Sequence, residues 1–102
     1  MGKPIMITET SAPGSIAVRQ EWIRSTLRAV NRARNEGVDL VGYTWFPLFT
    51  MIGWEYRASS LPIEEHLLHL GLWDCEFDQH HIFVRQETPL VNDYRRIVSG
   101  TR

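Results

Sequence analysis

The chain has 102 residues, with 11 basic and 12 acidic side chains, a formal charge of −1 and one cysteine. That length holds one domain with a modest core; the lone thiol, Cys75, excludes an internal disulfide; and the mixed Arg, Asp and Glu leave no basic stripe for a phosphate backbone, so nucleic acid is not an expected partner. No apolar run approaches the roughly 20 residues that cross a bilayer, and no charged region precedes an apolar signal core at the N-terminus, so the expectation is a soluble, cytoplasmic chain with no membrane partner.

Lys3-Pro4-Ile5-Met6-Ile7-Thr8-Glu9-Thr10 is an apolar, β-compatible run, too short for a stable helix and closed by Ser11, Pro13 and Gly14. It reads as a buried parallel strand with Glu9 at its C-terminal tip. Barrels and open α/β sheets place chemistry at that tip, because the strand is rigid there and the following loop leaves room for a ligand. Taken alone, the same eight residues also describe a solvated strand-end glutamate. Ser11 or Ser15 can cap a helix expected from Ile16 to Glu36. Ile23, Leu27, Val30 and Ala33 recur on it at helical spacing, with Arg24, Arg28, Arg32 and Glu36 on other faces. Gly37 ends it, and residues 38–46 read as a second strand. Strand, helix and strand within about 45 residues fit one right-handed parallel crossover.

Beyond Phe46 the chain is irregular and aromatic, with Pro47, Phe49, Trp54 and Tyr56. A short helical turn is expected at Ile63 to Leu70, an extended piece at Leu70 to Trp73 and a loop at Asp78 to His81. Thr88 then caps a last helix with Pro89 at its first position, running to about Val98 and stopped by Gly100.

The order of these residues resembles the C-terminal end of the family 1 glycoside hydrolases, the β-glucosidase-like enzymes of the retaining (β/α)8 clan. The resemblance rests on Ile7-Thr8-Glu9-Thr10, Arg19, Trp22-Ile23, Leu27, Val30, Ala33, Gly37-Val38, Gly42-Tyr43, an aromatic at Trp45 or Phe46, Trp54, Gly71-Leu72 and Thr88-Pro89. It covers most of the chain and lies in the combined spacing rather than in any one piece. It implies an α/β fold, the C-terminal part of a TIM (β/α)8 barrel: strand 7, helix 7, strand 8, a long loop and helix 8. It would make Glu9 the catalytic nucleophile. Retaining glycosidases use two carboxyl groups about 5–5.5 Å apart; the family's acid/base comes from the fourth barrel strand, so only one of the pair is expected here. A complete barrel takes about 250 residues. The chain by itself is therefore expected to lack turnover, and to self-associate or to need a chain supplying the remaining strands.

Two departures from the family matter. Phe46-Pro47 falls where the family joins an aromatic to a small polar residue by a cis peptide; proline lowers the cost of a cis bond from about 3 kcal/mol to below about 1 kcal/mol, so a cis Phe46–Pro47 bond is expected. Gly53 stands where the family carries a glutamate that holds sugar hydroxyls, with Glu55 as the candidate substitute. The family's sugar specificity is not carried over.

Candidate substrate-binding residues are thus Tyr43, Trp45, Trp54 and Glu55, for a carbohydrate substrate. Tyr43 is a hydroxyl on the neighbouring strand or a core tyrosine. Trp45 and Trp54 are a stacking surface for sugar rings or plain packing. Arg19, in the first helical turn, reads as structural. His66, His69, Glu65, His80 and His81 do not fix the convergence that zinc needs, so no metal and no cofactor are expected. Cys75 has no base partner that would make it a nucleophile. The alternative to an enzyme is a non-catalytic carbohydrate- or protein-binding remnant of the same barrel.

Overall fold

A computed structural model of the chain describes residues 2–100. The architecture is mixed α/β: among the described residues, two α-helices accompany three separate two-stranded sheets. The first sheet pairs β1 (Ile5–Thr10) in parallel with β2 (Leu40–Trp45), and α1 (Ile16–Asn35) is the crossover between them. This is the expected strand–helix–strand unit, with both strands shorter at their N-terminal ends than the apolar runs; β1, expected to be buried, is instead largely exposed, because among the described residues only β2 pairs with it. The register sets Ile7 beside Tyr43 and Thr10 beside Trp45, with an irregularity between Ile7 and Thr10. The Phe46–Pro47 bond is cis, as expected.

Helix α1 starts where its cap chemistry says. The Ser15 hydroxyl accepts the Val18 amide at 3.2 Å, satisfying one of the free first-turn donors. It ends at Gly37, whose φ of 96° is left-handed backbone that glycine adopts without steric cost. The buried face carries Arg19, Ile23 and Val30. The helix is tied to the sheet by Trp22, whose indole N–H donates to the Thr10 hydroxyl at 2.9 Å.

Four further strand pieces and a last helix complete the described residues. β3 (Met51–Ile52) pairs antiparallel with β4 (Leu67–Leu68), and β5 (Trp73–Phe77) pairs antiparallel with β6 (Phe83–Glu87). Between β3 and β4 lie two 3-10 turns, Trp54–Ala58 and Ile63–His66. The helical turn expected at Ile63 to Leu70 is thus only its first half, because Leu67 and Leu68 pair with β3. The extended piece expected at Leu70 to Trp73 is displaced into a hairpin, whose turn is the loop expected at Asp78 to His81. The Asp78 carboxylate shapes that turn by accepting the amides of His80 and Ile82 at 2.8 and 2.9 Å. Helix α2 (Pro89–Val98) carries the expected Thr88 cap, and the Thr88 hydroxyl also donates to the Leu72 carbonyl.

The core is small. Ile23 from α1, Trp45 from β2, Leu72, and Leu90 and Val91 from α2 form its buried centre. Leu90 is 0% exposed. Around it the segment 69–72 crosses the C-terminal side of the first sheet: the His69 carbonyl accepts the Gly14 amide, and the Leu70 carbonyl accepts the Trp45 indole N–H. Gly71 permits this crossing, since a Cβ there would lie 2.6 Å from the Leu48 carbonyl oxygen.

Arg19 fastens this arrangement. It is 1% exposed and donates to the Gly14 carbonyl at 3.0 Å and the Gly71 carbonyl at 3.0 Å. Its fork also meets both carboxylate oxygens of Asp74, at 2.7 and 3.2 Å. Removing one partner of such a pair leaves an uncompensated buried charge, which costs about 3–5 kcal/mol. Asp74→Ala is therefore expected to lower stability by about 3 kcal/mol or more in urea unfolding; a loss below about 1 kcal/mol would show that the pair does not anchor the fold. Leu90→Ala, which opens a void at the buried centre, is expected to cost about 2–5 kcal/mol in the same measurement.

Candidate functional site

Two groups of side chains lie at the end of the first sheet where its parallel strands finish. The first is the tip of β1. Glu9 is exposed there, and among the described residues no hydrogen bond or ion pair engages its carboxylate. The second is the excursion between β3 and β4. Its base is clamped by the Met51–Leu68 and Ile52–Leu67 pairs and by the Gly53 amide donating to the His66 carbonyl at 2.8 Å. Segment 69–72, bonded to Gly14 and Trp45, continues directly from β4. The base of the excursion is therefore tied, through segment 69–72, to the end of the first sheet at which Glu9 lies.

The expected site residues divide between surface and interior. Tyr43 spends its hydroxyl on the first helix: the phenol bonds the Thr26 hydroxyl of α1 at 2.7 Å, and its carbonyl accepts the Tyr94 hydroxyl at 3.1 Å. Burial pushes the phenol above its ordinary value, against the opposing effect of the Thr26 hydrogen bond. Trp45 is enclosed in the core, with its indole N–H spent on Leu70, so it offers no open ring face for stacking. Both aromatics hold the strand tips against α1 and α2. Trp54, by contrast, is 79% exposed at the start of the first 3-10 turn.

Glu55 is the best-defined carboxylate of the excursion. A Cβ built at Gly53 would fall 2.3 and 2.6 Å from its two oxygens, so the Glu55 side chain folds back over the space that glycine leaves. There it faces His66, with Oε1 at 3.3 Å from Nδ1. His66 is 6% exposed, its Nε2 lies 2.8 Å from the Ser59 hydroxyl, and the Tyr56 ring packs against it at 5.5 Å. The His66 contact was not legible at the sequence level. Its signal was weak: Glu64 and Glu65 precede the histidine and Leu67 and Leu68 follow it, a pattern that gives no hint that the histidine points inward.

The remaining histidines do not gather around an ion. Among the described residues no group of three or more His, Cys, Asp or Glu is placed to hold a metal. His69 bonds the buried Thr50 hydroxyl at 2.9 Å, and that hydroxyl accepts the Cys75 amide at 2.8 Å, so this cluster supports β5. Arg19 is structural, as its place in the first turn suggests. No helix among the described residues is long and apolar enough to cross a membrane.

No model of a known protein family matches this chain, and no curated protein matches it significantly.

The Glu55 carboxyl is held below the usual carboxylate range, first by its own backbone amide and then by His66. A depressed value contributes stability that is present above the unfolded carboxyl's pKa and lost as pH falls through the folded one. An NMR titration of the Glu55 side chain is expected to find it below the ordinary glutamate value. His66→Ala should raise it only partly, because the backbone amide remains; a value unchanged by that substitution would remove His66 from the site.

Proposed function

We propose that this chain is the C-terminal part of a retaining glycoside hydrolase barrel that cleaves β-O-glycosidic bonds, with Glu9 as the nucleophile. The observation that carries the reading is the parallel β1–α1–β2 unit with a free, exposed carboxylate at the tip of β1 and the base of the aromatic excursion tied to the same end. In barrels that end is where substrates are bound and cleaved.

Shape supports the same reading. A compact domain of this length has a radius of gyration near ~13 Å; this chain has 16.4 Å, with extents of 53 × 29 × 18 Å. Ile5, Met6 and Val41, in the two strands that should be interior in a closed barrel, are each more than half exposed. A second polypeptide or a longer chain supplying the other strands would cover them, as would association with further copies. Within the excursion, Trp54 is open for stacking on the apolar face of a sugar ring, and Glu55 brings a carboxylate to the place that Gly53 leaves vacant. Those are the two chemistries a sugar subsite needs.

In the mechanism, Glu9 attacks the anomeric carbon and forms a glycosyl ester, and a second carboxyl group protonates the leaving oxygen. In the family that this chain resembles the acid/base belongs to the fourth barrel strand, so in this reading it comes from outside this segment. That single carboxylate, together with Trp54, also favours a second reading, in which the chain binds carbohydrate or protein without cleaving it.

Incubation with activated 2-fluoro glycosides of several sugars, read by intact mass and peptide mapping, distinguishes the two. These reagents carry a leaving group that departs without acid assistance. The enzyme reading expects a covalent adduct on Glu9 that is absent from Glu9→Gln, and no turnover of unactivated glycosides by the chain alone. An adduct elsewhere would remove Glu9 from the role, and binding of sugar unchanged by Glu9→Gln with no adduct would leave the non-catalytic reading.

A further inference from the structure

The excursion contains an arrangement that a sugar subsite does not require. Glu55 Oε1, His66 Nδ1, His66 Nε2 and Ser59 Oγ follow one another at 3.3 Å across the first contact and 2.8 Å across the second. Carboxylate to Nδ1 and hydroxyl to Nε2 is the order in which an acid, an imidazole and a serine work together in nucleophilic catalysis, whatever the fold that carries them. We propose that Ser59 is a nucleophile activated by His66, and that the loop takes activated carboxylic esters as substrates. The inference is independent of the role of Glu9.

The contacts allow each proton the direction that the relay needs. The Leu61 amide donates to Ser59 Oγ at 2.9 Å, so that oxygen is already accepting and its own proton is free to point at His66 Nε2. An Nε2 that accepts is the tautomer with its proton on Nδ1, and Nδ1 faces the Glu55 carboxylate. In that tautomer the contacts run in the order that the relay needs, and the Glu55 carboxyl is held below the usual carboxylate range. His66 is nearly fully buried beneath Tyr56, whereas Ser59 is partly exposed, so the base is held in place and the nucleophile is reachable.

Beside the relay is a shallow pocket of about 440 Å³ lined by Ile52, Gly53, Trp54, Tyr56 and Arg57. Tyr56 belongs both to its wall and to the packing over His66. The pocket presents two aromatic rings and one cation, which suits an ester with an apolar or aromatic portion. In the reaction Ser59 Oγ attacks the carbonyl carbon while its proton passes to His66 Nε2. The carbonyl C–O bond to the alcohol breaks, and the imidazolium returns the proton to the departing alkoxide. Water then attacks the acyl-serine, losing its proton through His66 to Ser59 Oγ, so that the free acid leaves and the starting state is restored.

The full chain incubated with an alkyl fluorophosphonate, which loses fluoride on attack by serine, tests this by intact mass and peptide mapping. A single adduct on Ser59 is expected, with neighbouring Ser60 unlabelled and labelling abolished in concentrated urea. Removing the base should slow labelling by about a hundredfold or more in His66→Gln. Glu55→Gln, an exposed position whose change spares the buried ring, should slow it by about tenfold with an unchanged circular dichroism spectrum; it decides the matter if His66→Gln unfolds. No adduct on the folded chain, equal labelling of Ser59 and Ser60, or a rate unaffected by Glu55→Gln would each overturn the proposal.

Discussion

The arrangement of this chain depends on one buried cation. Arg19 lies in the first turn of α1 with almost no solvent contact, and a guanidinium in that position must spend its donors or be excluded. It spends them on the Gly14 carbonyl, which belongs to the turn leaving β1, on the Gly71 carbonyl and on the Asp74 carboxylate in β5. Two regions far apart in sequence, residues 14–19 and 71–74, are thereby held together at the C-terminal end of the parallel strands. An apolar side chain of similar length would fill the volume but would direct none of them, because the planar fork fixes angles as well as distances.

That constraint matters because the apolar core is thin. Leu90 is its one fully enclosed apolar side chain, and Ile23, Trp45, Leu72 and Val91 surround it. Hydrophobic burial here joins α1, β2 and α2 and touches the β5–β6 hairpin at Trp73, but it does not extend to the β3–β4 excursion or the rest of that hairpin, whose second strand is exposed throughout. Those parts are held by polar contacts instead: Thr50 to His69 and Cys75, Thr88 to Leu72, and Arg19 to Asp74. The two strands of the first sheet show the same deficit from the other side, with Ile5, Met6 and Val41 open to solvent. A sheet with that much uncovered apolar surface is one that larger assemblies bury.

What could be read from the sequence was what is encoded within a few residues. Ser15, Gly37, Thr88, Pro89 and Gly100 are cap and stop signals whose partners lie within the same turn, and both helices follow them closely. The parallel β1–β2 pair was legible because the crossover length admits few alternatives. The β5–β6 hairpin was not. Trp73, Cys75 and Phe77 do alternate with Asp74 and Glu76, but Phe83 to Glu87 shows no alternation, since neither of its faces is buried. Nor could composition separate Trp45 from Trp54. The same residue type is sealed in the core at one position and almost wholly solvated at the other, and only the tertiary path of segment 69–72 decides which. The Arg19–Asp74 pair joins residues 55 apart, beyond any local signal.

The glycine at position 53 gains a physical meaning from its neighbour. A Cβ at that position and the Glu55 carboxylate in its present place exclude one another, at 2.3 Å. The obstacle is the far end of a flexible side chain, so the chain can accommodate a larger residue at 53 by swinging Glu55 away, with little strain in the backbone. The consequence is chemical rather than structural: a displaced Glu55 no longer faces His66 Nδ1, and the tautomer that leaves Nε2 free to accept from Ser59 loses its support. Glycine at 53 is therefore the condition for a carboxylate at 55 to act on His66. Whether that carboxylate serves a sugar hydroxyl or an imidazole, its position in this loop follows from the absence of a side chain two residues earlier.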